Sequence, residues 1–270
     1  MHKLEIFSFD NFPLVKEGDD LATLIYTFLK EVDFEVKEHD IFVISHKIVS
    51  KAEGRIVKLD KVEPTEYSLK LSKYLKRDPK YVELVLKEAK RIIIAKGKHL
   101  ITEHKKDFIY PFSGIDLSNV DGGSSVALLP LDADESAKRM KVNLEALFKK
   151  ELGVIISDTT GRPFRKFSCN IAIGLAGVKA YRDYRGKKDL LGYELRYKKV
   201  AVADELASAA ELLMGQGNEG RPFAIVRGLN LSSKGSSAKQ LIRRRDRDLF
   251  SRRAWIDPPL RSFLHEGEWL

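Results

Sequence analysis

The chain has 270 residues, 43% of them hydrophobic, enough for one large core or two modest ones at roughly 100–200 residues per domain. Its single cysteine, Cys169, excludes an intrachain disulfide and a cluster of thiolate ligands, and no apolar run reaches the roughly 18 residues that cross a bilayer. The formal charge of +9 admits nucleic acid or anionic small substrates, and the start, Met1-His2-Lys3-Leu4-Glu5-Ile6, lacks a signal peptide's apolar stretch, so a cytoplasmic protein is expected.

Residues 4–7 read as a short strand, followed by Phe12-Pro13-Leu14-Val15. Asp19 or Asp20 caps the helix suggested by the spacing of Leu21, Leu24, Ile25, Phe28 and Leu29. Residues 40–45 form a buried strand that runs into a basic strand-to-turn segment at 46–55. Residues 65–94 are helical in pattern, with Pro79 opening a second helix. A turn rich in small and polar residues spans 109–119, a strand 126–129 and an amphipathic helix 133–150.

Val154-Ile155-Ile156 reads as a buried strand that ends in Asp158 and Thr159, followed by a Gly161-Arg162-Pro163 turn and Arg165. Residues 170–178 are apolar and glycine-rich, and Cys169, between Phe167 and Ile171, reads as a small buried thiol. A charged loop covers 183–194. The clearest helix covers 200–214, with Asp204 and Glu205 in its first turn, and residues 222–227 return as a strand. No repeat or linker is present, so two domains would be interwoven, with a separate appendage from 231 to 270. That appendage carries nine Lys or Arg against five Asp or Glu. Its Arg243, Arg244, Arg245, Arg247, Arg252 and Arg253 are interrupted by Asp246 and Asp248, a pattern that reads first as a solvated helix face rather than a nucleic-acid site.

Asp158 and Thr159 are hard oxygen ligands, and Arg162 and Arg165 can meet anionic oxygens in bidentate fashion, a set that suits a metal-bound polyphosphate. The alternative is an Asp/Thr turn with two solvated arginines. Gly215-x-Gly217-x-x-Gly220 has dinucleotide-fingerprint spacing but follows a helix and precedes a strand, the reverse of what that fingerprint requires. Its glycines still allow a nucleotide to approach the backbone, or simply end the helix. No Walker-type P-loop string occurs. Asp116 and Asn119 offer a carboxylate and an amide on a turn, for Mg²⁺ or for an Asx-turn, and Lys47 and Lys51 supply point charges for phosphates or solvated turn lysines.

The strings ISHKIVSKAEGR (44–55), SGIDLSN (113–119), VIISDTTGRPFR (154–165), DYRGKKDLLGYEL (183–195) and VADELASAAELLMGQGNEGRPFAIVRGL (202–229) occur in this order, and together they resemble the coenzyme F420-0:γ-glutamyl ligase family. The likeness runs from about Phe12 to Leu229 and leaves out the arginine-rich tail. It implies an α/β (α+β) chain of two interwoven domains with mixed sheets, divided near 150, in an intertwined homodimer. The implied reaction is GTP-dependent ligation of L-glutamate to the carboxylate of F420-0, extended by γ-linkage through an acyl phosphate; a related ligase acting on another acceptor, or a nucleic-acid-binding or regulatory protein using the tail, are the alternatives.

The implied cofactors are GTP, two divalent ions of the Mg²⁺ or Mn²⁺ kind, and K⁺. Carried over by position, Asp116 and Asp158 look like ligands of one metal, and Thr159 and Gln216 of a second; Arg162 and Arg165, by their own chemistry, are candidates for the acidic substrates or the departing phosphate. The nucleotide would meet Phe12, Pro13, Leu14, Val15, His46, Lys47, Lys51, Asn119 and the loop Met214, Gly215, Gln216, Gly217, Asn218, Glu219, Gly220 and Arg221. The chain departs from the family's pattern at Gln216, where a glutamate is common, at His46, where a glutamine is usual, and at Phe112-Ser113 in place of Asn-Ala. A neutral amide oxygen at 216 holds a cation less tightly than a carboxylate.

Overall fold

Capping chemistry starts most helices of the chain. Asp20, Thr65, Asp78 and Asp132 each accept backbone N–H bonds in the first turn of the helix that follows, and Pro79 sits where its missing N–H costs nothing. The computed structural model describes residues 2–244 and the backbone of 255–256, so Arg245, Arg247, Arg252 and Arg253 lie outside the described residues.

In chain order the first half comprises β1 (Glu5–Ser8), α1 (Leu21–Glu31), β2 (Ile41–Ser45), α2 (His46–Ala52), β3 (Ile56–Lys58), α3 (Glu66–Leu75), α4 (Pro79–Glu88), β4 (Ala89–Lys96), β5 (His99–His104), β6 (Ile109–Pro111) and β7 (Ser125–Ala127). The second comprises α5 (Ala133–Phe148), β8 (Gly153–Arg162), β9 (Arg165–Ala176), β10 (Arg182–Asp183), β11 (Lys199–Val200), α6 (Val202–Met214), β12 (Phe223–Arg227) and β13 (Trp255–Ile256). This is the mixed α/β class expected.

Two compact units share the described residues: those up to Gly54, Pro130–Thr159 and Ser168–Leu241 form one, and Arg55–Leu129, Thr160–Phe167 and the described residues after Leu241 the other. The first holds a five-stranded sheet of order β1-β12-β2-β8-β9. Its β2 and β8 are parallel neighbours, and the apolar runs at 41–44 and 154–156 within them are buried, as in strands covered on both faces. Phe12, Phe28 and Phe223 meet edge to face with ring centroids 5.2–6.3 Å apart. Buried Asp134 accepts from the amides of Leu175 (2.9 Å) and Ala238 (2.8 Å), fastening residues near 238 to β9. In the second unit β4, β5 and β6 form an antiparallel sheet with β13 parallel to β4, and Leu71, Leu75, Val82, Val85, Ile92 and Leu100 fill the core.

The structure corrects several sequence readings. The segment after β2, read as strand-to-turn, is a helix at 46–52: Ser45 caps it, and Ile48 and Val49 lie on its buried face. The helical pattern of 65–94 ends at Glu88, where Ala89 turns extended and the Ile92–Ile94 run joins a sheet, tertiary pairing overriding the local pattern. The strand read at 126–129 begins one residue earlier and stops at Ala127. β8 continues through Asp158 and Thr159 to Arg162, so these two residues lie within a strand and the turn is Pro163-Phe164. Cys169 is partly exposed rather than buried.

Candidate active site

Register brings the first pair of site residues together. In the parallel β2–β8 ladder Ser45 lies opposite Ser157, so the next residues, His46 and Asp158, leave the two strands side by side. His46 is 2% and Asp158 8% exposed, and the imidazole Nε2 lies 3.2 Å from Asp158 Oδ1 without the alignment of a hydrogen bond. Oδ1 accepts from the Thr159 amide at 2.6 Å, whereas Oδ2 and both His46 ring nitrogens are buried with no hydrogen-bond partner among the described residues. Burying a carboxylate oxygen without a donor is costly, and natural proteins keep such atoms mainly where function uses them. The donor set fits a divalent cation.

On α2, Lys47 and Lys51 stand one turn apart and half-buried. Burial, and then the Lys47 charge, push the Lys51 ammonium below its ordinary 10.5. A bound anion would relieve both effects.

The second pair meets at the first pair's flank. Thr159 Oγ1 donates to Asn170 Oδ1 at 2.7 Å and lies 3.1 Å from Gln216 Oε1, while Gln216 Nε2 donates to the same Asn170 oxygen at 3.1 Å. Gln216 arrives on the loop that ends α6. Gly215 has φ +74°, and a Cβ there would sit 2.3 Å from the Glu219 carboxylate, which folds back to accept from the Gly217 amide at 2.7 Å. The backbone conformation favours glycine, while the Glu219 side-chain end could shift to admit a Cβ. Arg221 is engaged by Asp10 (2.7 Å) and the Leu213 carbonyl (3.1 Å). Met214, Phe12 and Val15 are buried, whereas Leu14 is 86% exposed and Pro13, Asn218 and Gly220 lie at the surface.

In the other unit, Asp116 follows three consecutive left-handed residues, Phe112 (φ 50°), Ser113 (φ 55°) and Gly114 (φ 67°). The buried Ser113 hydroxyl holds that strained turn by donating to the Val85 carbonyl at 2.9 Å, and its amide donates to Thr102 Oγ1 at 3.0 Å. Asp116 itself bridges to Ala127 through paired backbone bonds and accepts from the Ser118 amide at 2.7 Å, the Asx-turn that the sequence allowed. Asn119 is exposed, with φ 55°. Arg162 and Arg165 are exposed at the β8–β9 hairpin end, where Arg162 reaches the Lys166 carbonyl at 3.4 Å.

The structure thus unites His46 with Asp158 and Thr159 with Gln216. It adds Asn170, which sequence reading passed over. The available signal was slight, one amide at the head of the apolar stretch that ends β9.

No described helix is long and apolar enough to cross a membrane. The sequence profile described as F420-0:Gamma-glutamyl ligase matches residues 11–228. The chain is 40% identical over 250 residues to a coenzyme F420:L-glutamate ligase of Methanocaldococcus jannaschii, covering 92% of this chain and 97% of that protein. Similar relatives with the same name come from Methanothermobacter thermautotrophicus (41%, covering 92% and 98%) and Archaeoglobus fulgidus (40%, covering 93% and 97%). With the family profile matching most of its length and these relatives nearly all of it, the chain belongs to the F420-0:gamma-glutamyl ligase family.

Proposed function

We propose that this protein joins L-glutamate to the carboxylate of coenzyme F420-0 at the expense of GTP, and extends the product through a γ-linkage. The observation that carries this reading is the buried Asp158 carboxylate, one oxygen of which has no hydrogen-bond partner among the described residues, presented beside Thr159 in a chain of this ligase family. A carboxylate does not condense with an amine at neutral pH, because its leaving group is equivalent to hydroxide. Transfer of the γ-phosphoryl group of GTP gives an acyl phosphate and GDP; the glutamate amine then attacks the acyl carbon, phosphate departs and an amide forms.

Asp158 would hold one divalent ion of the Mg²⁺ or Mn²⁺ kind, and Asp116 is proposed as a ligand on its motif alone. Thr159 and Gln216 would hold a second cation through neutral oxygens 3.1 Å apart, and K⁺ is a further proposed cofactor. Bound cations supply neutralisation of phosphate charge. Lys47 and Lys51 bind phosphate oxygens, the Gly215 to Arg221 loop lies along the nucleotide, and Arg162 and Arg165 attract the acidic substrates. Phe12 and Val15, both buried, shape the nucleotide segment from beneath while Pro13 and Leu14 face outward. The protein is proposed to act as a homodimer, a reading supported by exposed Leu190, Leu191 and Tyr197 on one loop.

The reading is tested by incubating the protein with F420-0, glutamate, Mg²⁺ or Mn²⁺, and GTP or ATP. Formation of glutamylated F420 with matching release of GDP is expected. Turnover with ATP alone would refute the nucleotide assignment, and product from a different carboxylate but not F420-0 would refute the acceptor.

A further inference from the structure

The geometry points to His46 as a direct protein ligand of the cation at Asp158, which makes this a mixed nitrogen–oxygen site that prefers divalent transition metals to Mg²⁺. The inference rests on the proposed cation at Asp158. His46 is 2% exposed, and neither ring nitrogen has a hydrogen-bond partner among the described residues. A histidine serving only to fill a core is normally satisfied on at least one nitrogen. Its Nε2 lies 3.2 Å from Asp158 Oδ1, within ion-pair distance if the ring is protonated but out of line for a hydrogen bond. Two ligands about 2.1 Å from one ion lie about 3.0 Å apart at octahedral angles and about 3.4 Å apart at tetrahedral ones, and the observed separation falls between these.

Both side chains are fixed before any ion arrives. His46 opens a helix whose preceding strand is paired in register with β8, and Asp158 is held by the Thr159 amide. A neutral imidazole adds affinity in the order Mn²⁺, Fe²⁺, Co²⁺, Ni²⁺, and little for Mg²⁺, which favours oxygen ligands. His46 therefore biases the ion that this chain retains.

The test uses full-length protein without nucleotide, loaded with Mn²⁺. Electron spin-echo envelope modulation should show ¹⁴N coupling to the metal in the wild type, lost in His46→Gln. Glu38, His39 and Glu151 place ligand atoms within 4.8 Å of one another at the surface and are the competing site, so His39→Gln should keep the coupling. Displacement of Mn²⁺ by Mg²⁺ should become at least about 10-fold easier in His46→Gln. If Mn²⁺ binding is lost in Asp158→Asn but the wild type shows no ¹⁴N coupling, or the coupling survives in His46→Gln, the assignment of His46 is overturned while Asp158 stands as a ligand. If Asp158→Asn binds Mn²⁺ as tightly as wild type, the cation at Asp158 and this inference fall together. Should His46→Gln not fold by circular dichroism, His46→Asn replaces it, and absence of coupling in the wild type alone remains decisive.

Discussion

Asp158 and Asn170 are both buried polar residues, but their environments predict opposite responses to substitution. Asp158 carries an oxygen with no donor among the described residues, so Asp158→Asn should leave stability within about 1 kcal/mol of wild type or raise it. Its turnover should fall at least about 100-fold, the loss expected when a group facing developing charge is removed. Denaturant unfolding and steady-state rates on one preparation check this; a large loss of stability would make Asp158 structural. Asn170 Oδ1 instead receives two hydrogen bonds, from Thr159 and Gln216, and its removal takes away the acceptor that the two donors share. Asn170→Ala should cost about 1–3 kcal/mol and weaken the second cation, whereas a metal titration identical to wild type would show that Asn170 does not position that pair. Asp158 and Thr159 were legible from their place after an apolar run. Asn170 was not, because one amide among apolar neighbours means nothing until strand pairing shows what it faces.

At the scale of elements, α2 and the loop after α6 carry the proposed nucleotide contacts. Lys51→Gln should keep the fold and weaken GTP binding about 10-fold, as loss of a charged hydrogen bond requires. Burial lowers the Lys51 pKa below 10.5, so folding bears the cost of its charge at neutral pH and is relieved of it as pH rises from the lowered value toward 10.5. GTP affinity should move the other way, declining as pH rises through that lowered value; calorimetric titrations in the alkaline range measure it, and a flat profile would remove Lys51 from the phosphate site. Gly215→Ala places a Cβ at positive φ against the Glu219 carboxylate and should destabilise the loop by about 1–2 kcal/mol while weakening nucleotide binding. Unchanged binding in that variant would count against the loop's role. Helix starts were legible through their caps, as at Asp20 and Pro79. The α2 helix was hidden because Ile48-Val49 has strand propensity, and only packing turns that pair into a helix face. The helix-to-strand change at Ala89 was hidden because the apolar run 92–94 satisfies either period until β5 pairs with it.

For the whole molecule, the family and the mixed α/β class were visible in five ordered strings, because motif residues lie close together in sequence. Interwoven domains were read from the absence of a linker, but the bounds of the segments were not legible, since they depend on contacts between distant segments, such as Asp134 with Ala238. Exposed Leu190 and Leu191 lead to a further expectation: the protein should be a dimer by light scattering, and Leu190→Asp with Leu191→Asp should shift it toward monomer. A monomeric wild type would refute the dimer.

The central claim is that GTP activates the acceptor carboxylate by phosphorylation. It is tested most directly with F420-0 labelled with ¹⁸O in its carboxylate, analysing the phosphate released during ligation of glutamate. The account predicts glutamylated product, GDP, and phosphate carrying one ¹⁸O atom from the acceptor. Product formed with unlabelled phosphate, or GTP hydrolysis with no product, would contradict it.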